Sequence, residues 1–224
     1  MPFGKASWFI PSLTWQPRPV AEAVVGRFSQ DALVVDLGAG GRKIAPHVKT
    51  VDFVKFPGTD YVSDVTATPF ENDSVDLVIA TGLLEHVEDD RKLIGEIWRI
   101  LKPGGLAHIE IPFLQQYHDD PIDCRRLTQP GLALLLKQNG FEIVDNGTHI
   151  GPTVTITTLA AYWIAMWFEG RTLVHKVLSN GAFAAASALF WPLKFLDRLL
   201  INKPSAHRLA FGVYCTARKT SRRT

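Results

Sequence analysis

The sequence predicts an α/β fold built on an open sheet of mainly parallel strands. Residues 33–37 form an apolar segment interrupted only by Asp36, and the glycine-rich stretch 38–41 follows at once. An apolar run of this length is typical of a buried parallel strand, and glycines after it allow a tight turn that a ligand can approach closely. Further apolar segments, and a segment with the periodicity of a helix, come after the glycines. Strand-like and helix-like segments in such an order are typical of a doubly wound α/β sheet. A ligand site is therefore expected at the carboxyl end of the first strand.

Four further strands are predicted from the apolar segments that follow. The second ends at Val51-Asp52-Phe53, and the next three are expected at 60–63, 75–80 and 106–111. Asp52 stands at the tip of the second strand, where an acid can accept hydrogen bonds from both ribose hydroxyls of a nucleoside ligand. The glycine stretch is not a complete G-x-G-x-x-G, so this downstream order is the stronger indication.

Two helices are predicted in the same region. The first covers 89–101 and ends at Lys102-Pro103-Gly104-Gly105, because glycine is favoured just past a helix and proline cannot continue one. The second covers 129–139 and ends before Gly140.

These segments together resemble the class I S-adenosylmethionine-dependent methyltransferases, in the branch of ubiquinone-biosynthesis-like and glycan-associated enzymes. VDLGAGGR (35–42), Asp52 and the stretches 63–87 and 96–112 carry the resemblance, which covers about residues 20–145. It implies a Rossmann-like sheet of seven strands with helices on both faces. It also implies that the chain is an enzyme with S-adenosylmethionine as its cofactor.

The resemblance assigns residues at several strand ends to the cofactor. Those expected to face its methionine part are Asp36, Gly38, Ala39 and Gly40. Those expected at its nucleoside part are Asp52 at the ribose, Phe53 beside the adenine, and Asp64 with Val65 at the adenine amino group and ring edge. Thr81 and Leu83 are expected to close the site. Asp36 as a turn-capping acid, and Phe53 and Leu83 as core residues, are the alternatives.

The best candidate for chemistry is the segment 112–128, which follows the fifth strand and contains a histidine, a tyrosine, acids and arginines. Methyl transfer to an alcohol requires removal of a proton as the new bond forms, and a near-neutral histidine suits that task. His118 is predicted to be the general base, with Asp123 orienting it or binding a sugar hydroxyl. Tyr117 and Arg126 are predicted to bind the substrate. In the alternative, Asp123 and Arg126 form a salt bridge that fixes the loop and His118 is solvated.

A long insertion is predicted near the end of a single methyltransferase domain. In the related fold a short loop joins strands six and seven, which fit residues 141–144 and 211–216. The core is expected at about 20–149 plus 207–217, with a helical insertion at about 150–206. A parallel strand ends on the cofactor side, so the insertion is expected to emerge beside the active site. It either admits a lipid-linked or amphiphilic substrate or forms a helical cap or dimer contact.

The charge of the chain is unevenly distributed. Residues 1–170 contain 14 Lys/Arg and 21 Asp/Glu, whereas residues 171–224 contain 10 Lys/Arg and the single acid Asp197. Basic charge interleaved with Trp, Phe and Leu is the composition of a helix that lies on an anionic membrane. Peripheral membrane contact is therefore predicted through residues 171–224. The uncharged stretch 150–168 contains several threonines and is predicted to be interfacial or packed rather than transmembrane.

The two cysteines provide neither a disulfide framework nor the spacing of a metal site, which favours a location in the reducing cytoplasm. Together with the predicted membrane contact, this suggests a peripheral position on the inner membrane face. The predicted acceptor is a saccharide, glycolipid or other small hydroxyl compound. A quinone-like lipophilic acceptor and a non-catalytic cofactor-fold subunit are the alternatives. Nucleic acid is disfavoured as a partner, because Ala80-Thr81-Gly82-Leu83 replaces the Asn/Asp-Pro-Pro-aromatic motif of enzymes that methylate bases.

Overall fold

A computed structural model describes residues 12–17, 19–118 and 122–221. These residues pack into two compact units. The sheet unit comprises 19–112, 122–147 and 213–221, and the helical unit comprises 12–17, 113–118 and 148–212.

Over the described residues the chain forms one seven-stranded sheet, which confirms the predicted Rossmann-like fold class. The strands are β1 (Val34–Leu37), β2 (Lys49–Asp52), β3 (Tyr61–Val62), β4 (Val75–Thr81), β5 (Leu101–Pro112), β6 (Phe141–Ile150) and β7 (Gly212–Lys219). Their order across the sheet is β3-β2-β1-β4-β5-β7-β6. The first five pair in parallel, so their carboxyl ends lie at one edge, where the sequence places the site.

The helices of the sheet unit are α1 (Val20–Val25), α2 (Asp90–Ile100) and α3 (Gln129–Gln138). Helix α2 begins where the Asp89 carboxylate accepts a hydrogen bond from the Lys92 amide, and α3 begins where the Thr128 hydroxyl accepts one from the Gly131 amide. A core cluster joins α1 to the sheet through Ala21, Val24, Val25, Val34, Val48, Leu77 and Ile79. Burial of this face therefore holds α1 against the first strand and its neighbours.

The predicted break at Lys102-Pro103-Gly104-Gly105 lies inside β5, so the strand begins earlier than expected. Val75 pairs with Leu101 and Leu77 pairs with Leu106, which leaves 102–105 as an irregularity in the ladder. Gly104 adopts φ 82°, and Lys102 Nζ donates to Asp76 Oδ1 over 2.7 Å. The helix does end where predicted, but the chain re-enters the sheet without a separate loop.

Strand β6 is longer than the predicted 141–144 because its turn-forming residues are used inside the sheet. Asp145 Oδ2 accepts a hydrogen bond from the Tyr214 hydroxyl over 3.0 Å. Gly147 lets the Tyr214 ring pass, since a Cβ there would lie 2.9 Å from Tyr214 Cε1. A polar stretch that would form a turn alone is therefore held extended by β7.

The helical unit confirms that the insertion is helical. It contains α4 (Pro152–Met166), α5 (Leu173–Phe190) and α6 (Asp197–Leu200), with 3-10 turns at 191–196 and 206–208. Leu13, Ala161 and Ala186 form its small core, with Ile164, Phe183 and Phe190 packed around them. Among the described residues, the helical segment Leu173–Leu200 is long and apolar enough to cross a membrane, by length and composition alone.

Candidate cofactor site

The glycine turn after β1 is anchored to the end of β2. The amides of Gly38 and Ala39 both donate to the Val51 carbonyl, over 2.9 and 3.3 Å. The Gly40 amide donates to Asp52 Oδ2 over 2.8 Å, and Asp52 Oδ1 accepts from the Val54 amide over 3.0 Å. Asp52 therefore braces the turn as well as ending the strand.

Gly38 and Gly40, two of the three glycines of the turn, face different surroundings. Gly38 has φ 67°, and a Cβ on it would lie 2.7 Å from Leu83 Cδ1. Gly40 has φ 59°, and a Cβ on it would meet nothing within 4 Å. Leu83 thus packs directly against the turn, whereas the space over Gly40 is open to a ligand. We call this glycine turn, with Leu83 beside it, the cradle, and all of its residues lie in the sheet unit.

Asp36 is fully buried, and neither of its carboxylate oxygens accepts a hydrogen bond from the described residues. Its closest charged group is Arg42, with Nη2 3.9 Å from Oδ2. Burial raises the pKa of Asp36 from 3.8 to about 7, with Arg42 opposing and Glu110 adding to the rise. The turn-capping alternative for Asp36 is wrong, because Asp52 does the capping. A buried acid without hydrogen bonds suits a cationic ligand group, and the methionine part of S-adenosylmethionine carries an ammonium and a sulfonium.

The nucleoside residues lie along the ends of β2 and β3. Phe53 is 66% exposed, so the core alternative for Phe53 is wrong and its ring face is available for stacking. Asp64 Oδ1 accepts hydrogen bonds from the Thr66 amide and hydroxyl, which hold the pKa of Asp64 below its usual value. Val65 is half-buried beside it. Their contacts with adenine remain predictions.

Arg42 is a residue of the turn that the sequence reasoning did not single out. Its guanidinium donates to Thr81 Oγ1 over 2.6 Å and reaches Asp36, so it links the ends of β1 and β4. The only signal for it was its position directly after the glycines. A basic residue there can hold Thr81 in place and partly compensate the charge of Asp36.

A second group of buried polar residues surrounds the end of β4. Glu85 follows Thr81 on a 3-10 turn, is 2% exposed, and its Oε2 has no hydrogen-bond partner among the described residues. Burial raises the pKa of Glu85, while the charges of His86 and Arg126 oppose the rise. His86 Nδ1 contacts the Ile122 carbonyl, which ties this turn to the loop 122–128.

The loop 122–128 contains the predicted Asp123 and Arg126. Both terminal guanidinium nitrogens of Arg126 donate to the Asp123 carboxylate, and the Asp123 side chain is 1% exposed. The salt bridge of the alternative interpretation is therefore present. The roles of both residues in catalysis and substrate binding stay predictions.

The other half of the predicted catalytic segment belongs to the helical unit. Phe113 and Leu114 are fixed there by amide hydrogen bonds to the carbonyls of Phe211 and Ala210, over 2.8 and 3.2 Å. His118 is half-buried, with Nδ1 3.4 Å from Gln115 Nε2, and Tyr117 is 70% exposed. Residues 119–121, which include two of the acids of this segment, lie outside the described residues. The assignment of His118 as general base stays a prediction.

His108 and Glu110 form a buried polar pair on β5 that the sequence reasoning also missed. His108 Nε2 lies 3.2 Å from Glu110 Oε1, and its Nδ1 lies 2.8 Å from Thr216 Oγ1 on β7. Their spacing of two puts both on one face of the strand. Polar residues at alternating positions in an apolar strand were the available signal.

The chain is similar to known methyltransferases. Residues 20–109 match the family described as "Methyltransferase domain". A probable S-adenosylmethionine-dependent methyltransferase of Mycolicibacterium smegmatis is 30% identical over 83 residues, which is 34% of this chain and 32% of that protein. A demethylmenaquinone methyltransferase of Clavibacter sepedonicus is 28% identical over 172 residues, 73% of this chain and 62% of that protein. The chain thus spans less than two thirds of the length of these curated relatives.

Solved structures show the same fold. The 1,6-didemethyltoxoflavin-N1-methyltransferase of Burkholderia thailandensis, in complex with its substrate and S-adenosylhomocysteine, superposes with a TM-score of 0.55. The match covers 97% of this chain and 83% of that one, at 18% identity. At this level of identity the likeness concerns the fold alone.

Proposed function

We infer that the whole chain transfers a methyl group from S-adenosylmethionine, its cofactor, since residues 20–109 match the family described as "Methyltransferase domain". The observation that carries the inference is the cradle at the carboxyl end of β1. It combines an open face over Gly40, a buried acid without hydrogen bonds at position 36, and Asp52 at the end of the neighbouring strand. These features fit the methionine part and the ribose of the cofactor.

The bound cofactor supplies an electrophilic methyl group, so the protein mainly has to align the acceptor and remove its proton. Once ionised, the buried carboxylate of Asp36, with Arg42 beside it, would offer a negative charge to the cationic end of the cofactor. Asp52 keeps lone pairs for the ribose hydroxyls, since each of its oxygens accepts a single backbone hydrogen bond. The exposed ring of Phe53 can cover the adenine.

For the acceptor we propose the hydroxyl group of a saccharide, glycolipid or similar small molecule. Support comes from the polar composition of the segment 112–128, which contains the predicted base His118 and the predicted substrate-binding residues Tyr117 and Arg126. In this role His118 would take the hydroxyl proton as the carbon–oxygen bond forms.

A quinone-like lipophilic acceptor is the second candidate. The demethylmenaquinone methyltransferase of C. sepedonicus matches 73% of this chain, more than the curated relative from M. smegmatis does. An aromatic hydroxyl loses its proton more readily than an alcohol, so a quinol acceptor would depend less on His118.

Calorimetric titration with S-adenosylmethionine and S-adenosylhomocysteine tests the cofactor site. We expect micromolar binding that weakens at least about tenfold in Asp52→Asn, because charge-assisted hydrogen bonds to the ribose are lost. Asp60→Asn is the matched control, since the Asp60 carboxylate accepts hydrogen bonds from the Thr50 amide and from Lys43 and is not assigned to the cofactor. Absence of binding at millimolar ligand would contradict the proposal.

Turnover with His118→Ala then separates the acceptor classes. With an alcohol acceptor we expect kcat to fall about 100-fold while cofactor affinity is unchanged. Unchanged turnover of a sugar acceptor would exclude His118 as the base. Cofactor binding without turnover of saccharide, glycolipid or quinol acceptors would favour the non-catalytic subunit.

A further inference from the structure

The α4–α5 hairpin ends in an apolar tip that the helical unit does not cover. We define the hairpin tip as residues 163–178, which include the end of α4, the connection and the first turns of α5. Every residue from Met166 to Leu178 is exposed. Its large apolar side chains, with their exposed fractions, are Trp163 60%, Met166 60%, Trp167 73%, Phe168 42%, Leu173 76%, Val174 65%, Val177 62% and Leu178 50%.

The base of the same hairpin is packed. Helices α4 and α5 contact each other, and Ala161 and Ala186 are buried in the core of the unit. Ser179 and Ser187 of α5 are also buried. The two helices are thus packed at the base of the hairpin, and beyond that base the apolar side chains of the tip are exposed.

The charge around the tip is basic. Asp197, the single acid of residues 171–224, is fully buried, where its carboxylate accepts hydrogen bonds from the amides of Thr153 and Val154 at the start of α4. Its negative charge therefore does not reach the surface. Exposed basic residues of the helical unit are Arg171, Lys176, Arg198, Lys203 and Arg208. Among its described residues Glu169 is the one exposed acid.

We propose that the hairpin tip inserts into the interfacial layer of an anionic membrane. Apolar side chains beside basic ones on exposed helices are the chemistry that binds such a surface. The rings of Trp163 and Trp167 contact each other edge to face, with their centroids 5.8 Å apart. Both would lie at the level of the lipid head groups, where tryptophan is favoured. Arg171 and Lys176 would face lipid phosphates. This surface interaction is additional to methyl transfer and does not depend on it.

Charge also decides against two other occupants. A second copy docked tip to tip would bring Arg171 and Lys176 of both copies together, which is unfavourable. A membrane span over Leu173–Leu200 would put Lys194, Asp197 and Arg198 into hydrocarbon, which is unfavourable, and would remove Asp197 from α4.

Flotation of the full-length chain with vesicles tests the proposal. We expect binding to vesicles of phosphatidylcholine with about 30% phosphatidylglycerol, weak binding to phosphatidylcholine alone, and loss of binding at high salt. The double variant Trp167→Ser/Leu173→Ser should bind the anionic vesicles at least about tenfold more weakly. Leu134→Ser is the matched control, because Leu134 is 55% exposed on α3 in the sheet unit, and it should bind like the unchanged chain.

Several results would overturn the proposal. They are absence of vesicle binding by the unchanged chain, full binding by the double variant, and binding that resists extraction with alkaline carbonate, which indicates a span. A dimer in light scattering that dissociates in the double variant would assign the tip to a second copy instead. Calorimetric titration of the double variant with S-adenosylhomocysteine should match that of the unchanged chain, which separates this surface from the cofactor site.

Discussion

At the scale of single residues, Asp36 couples the stability of the chain to pH. Its pKa is raised by burial to about 7, above the unfolded value of 3.8, so the folded state holds a proton that the unfolded state releases between these values. The free energy of unfolding therefore falls as the pH rises from about 4 to about 7 and stays low above that range. The full difference in pKa corresponds to at most about 4 kcal/mol.

Asp36→Asn should remove this pH dependence. We expect the Tm of the variant, relative to the unchanged chain, to be higher at pH 8 than at pH 5 by about 5 °C or more. Thermal unfolding at both pH values without ligand measures this difference, in which the other titrating groups cancel. Equal differences at the two pH values would show that Asp36 ionises normally.

The glycines of the turn offer a second residue-scale prediction. Gly38→Ala and Gly40→Ala both place a side chain at positive φ, which costs roughly 1–2 kcal/mol. Gly38→Ala should destabilise the chain further, because the new methyl group collides with Leu83, whereas over Gly40 there is space. Denaturant unfolding of both variants, of Leu83→Ala and of Gly38→Ala combined with Leu83→Ala completes a double-mutant cycle for positions 38 and 83. If the second substitution restored nothing, the contact with Leu83 would not be the cause.

At this scale the sequence predicted where the polar residues of the turn lie better than it predicted which groups they would bind. Asp52 was recognisable because it ends an apolar strand, and Asp36 because it interrupts one just before the glycines. The alternative interpretation nevertheless gave the capping role to Asp36. Which acid caps the turn depends on the packing of β1 against β2, which no local pattern encodes. Arg42 was missed for the same reason, since its contact with Thr81 joins residues on different strands.

At the scale of elements, Asp197 acts as a cap for a helix that precedes it by more than 40 residues. Helix α4 has no side-chain cap of its own, and Gly151 before it leaves room for the Asp197 carboxylate. Asp197→Ala should lower the free energy of unfolding by about 1–3 kcal/mol, because two buried amides lose their acceptor and the helix dipole its counter-charge.

Thr172→Ala is the control for this prediction. The Thr172 hydroxyl caps α5 by accepting a hydrogen bond from the His175 amide over 3.4 Å, which is longer than the bonds to Asp197, and it does so in an exposed position. Its loss should therefore lower the free energy of unfolding by only about 0.5–1 kcal/mol. Denaturant unfolding of the two variants gives both numbers. A cost for Asp197→Ala no larger than that for Thr172→Ala would show that the remote cap contributes little.

The elements themselves followed from local signals wherever one face is buried. The parallel strands and the helices α2 and α3 begin and end within a few residues of their predicted bounds, because apolar periodicity and capping residues act locally. The exceptions are β5, which begins before Gly104 instead of after the glycines, and β6, which continues through Gly147 beyond the predicted 141–144. In β6 the ring of Tyr214 decides the outcome, and its position follows only from the folded sheet.

At the scale of the whole molecule, the resemblance implied a Rossmann-like sheet of seven strands, and the described residues form such a sheet. The insertion was predicted from the length between two strands, and its composition indicated helices. The hairpin tip was not foreseen within it, because exposure is a property of packing. Residues 163–168 resemble core residues in composition, yet Trp163 and Trp167 lie on the surface.

The hairpin tip also leads to a prediction for the stability of the whole chain. A membrane that binds only the folded state stabilises it, by about 2.7 kcal/mol at a lipid concentration 100 times the dissociation constant. For a chain of this size the Tm should then rise by roughly 5–10 °C with anionic vesicles, followed by circular dichroism. The variant Trp167→Ser/Leu173→Ser should show little of this rise, and Leu134→Ser should show all of it. A fall in Tm with anionic vesicles would mean that lipid prefers the unfolded chain, in which the apolar residues of both helices are accessible.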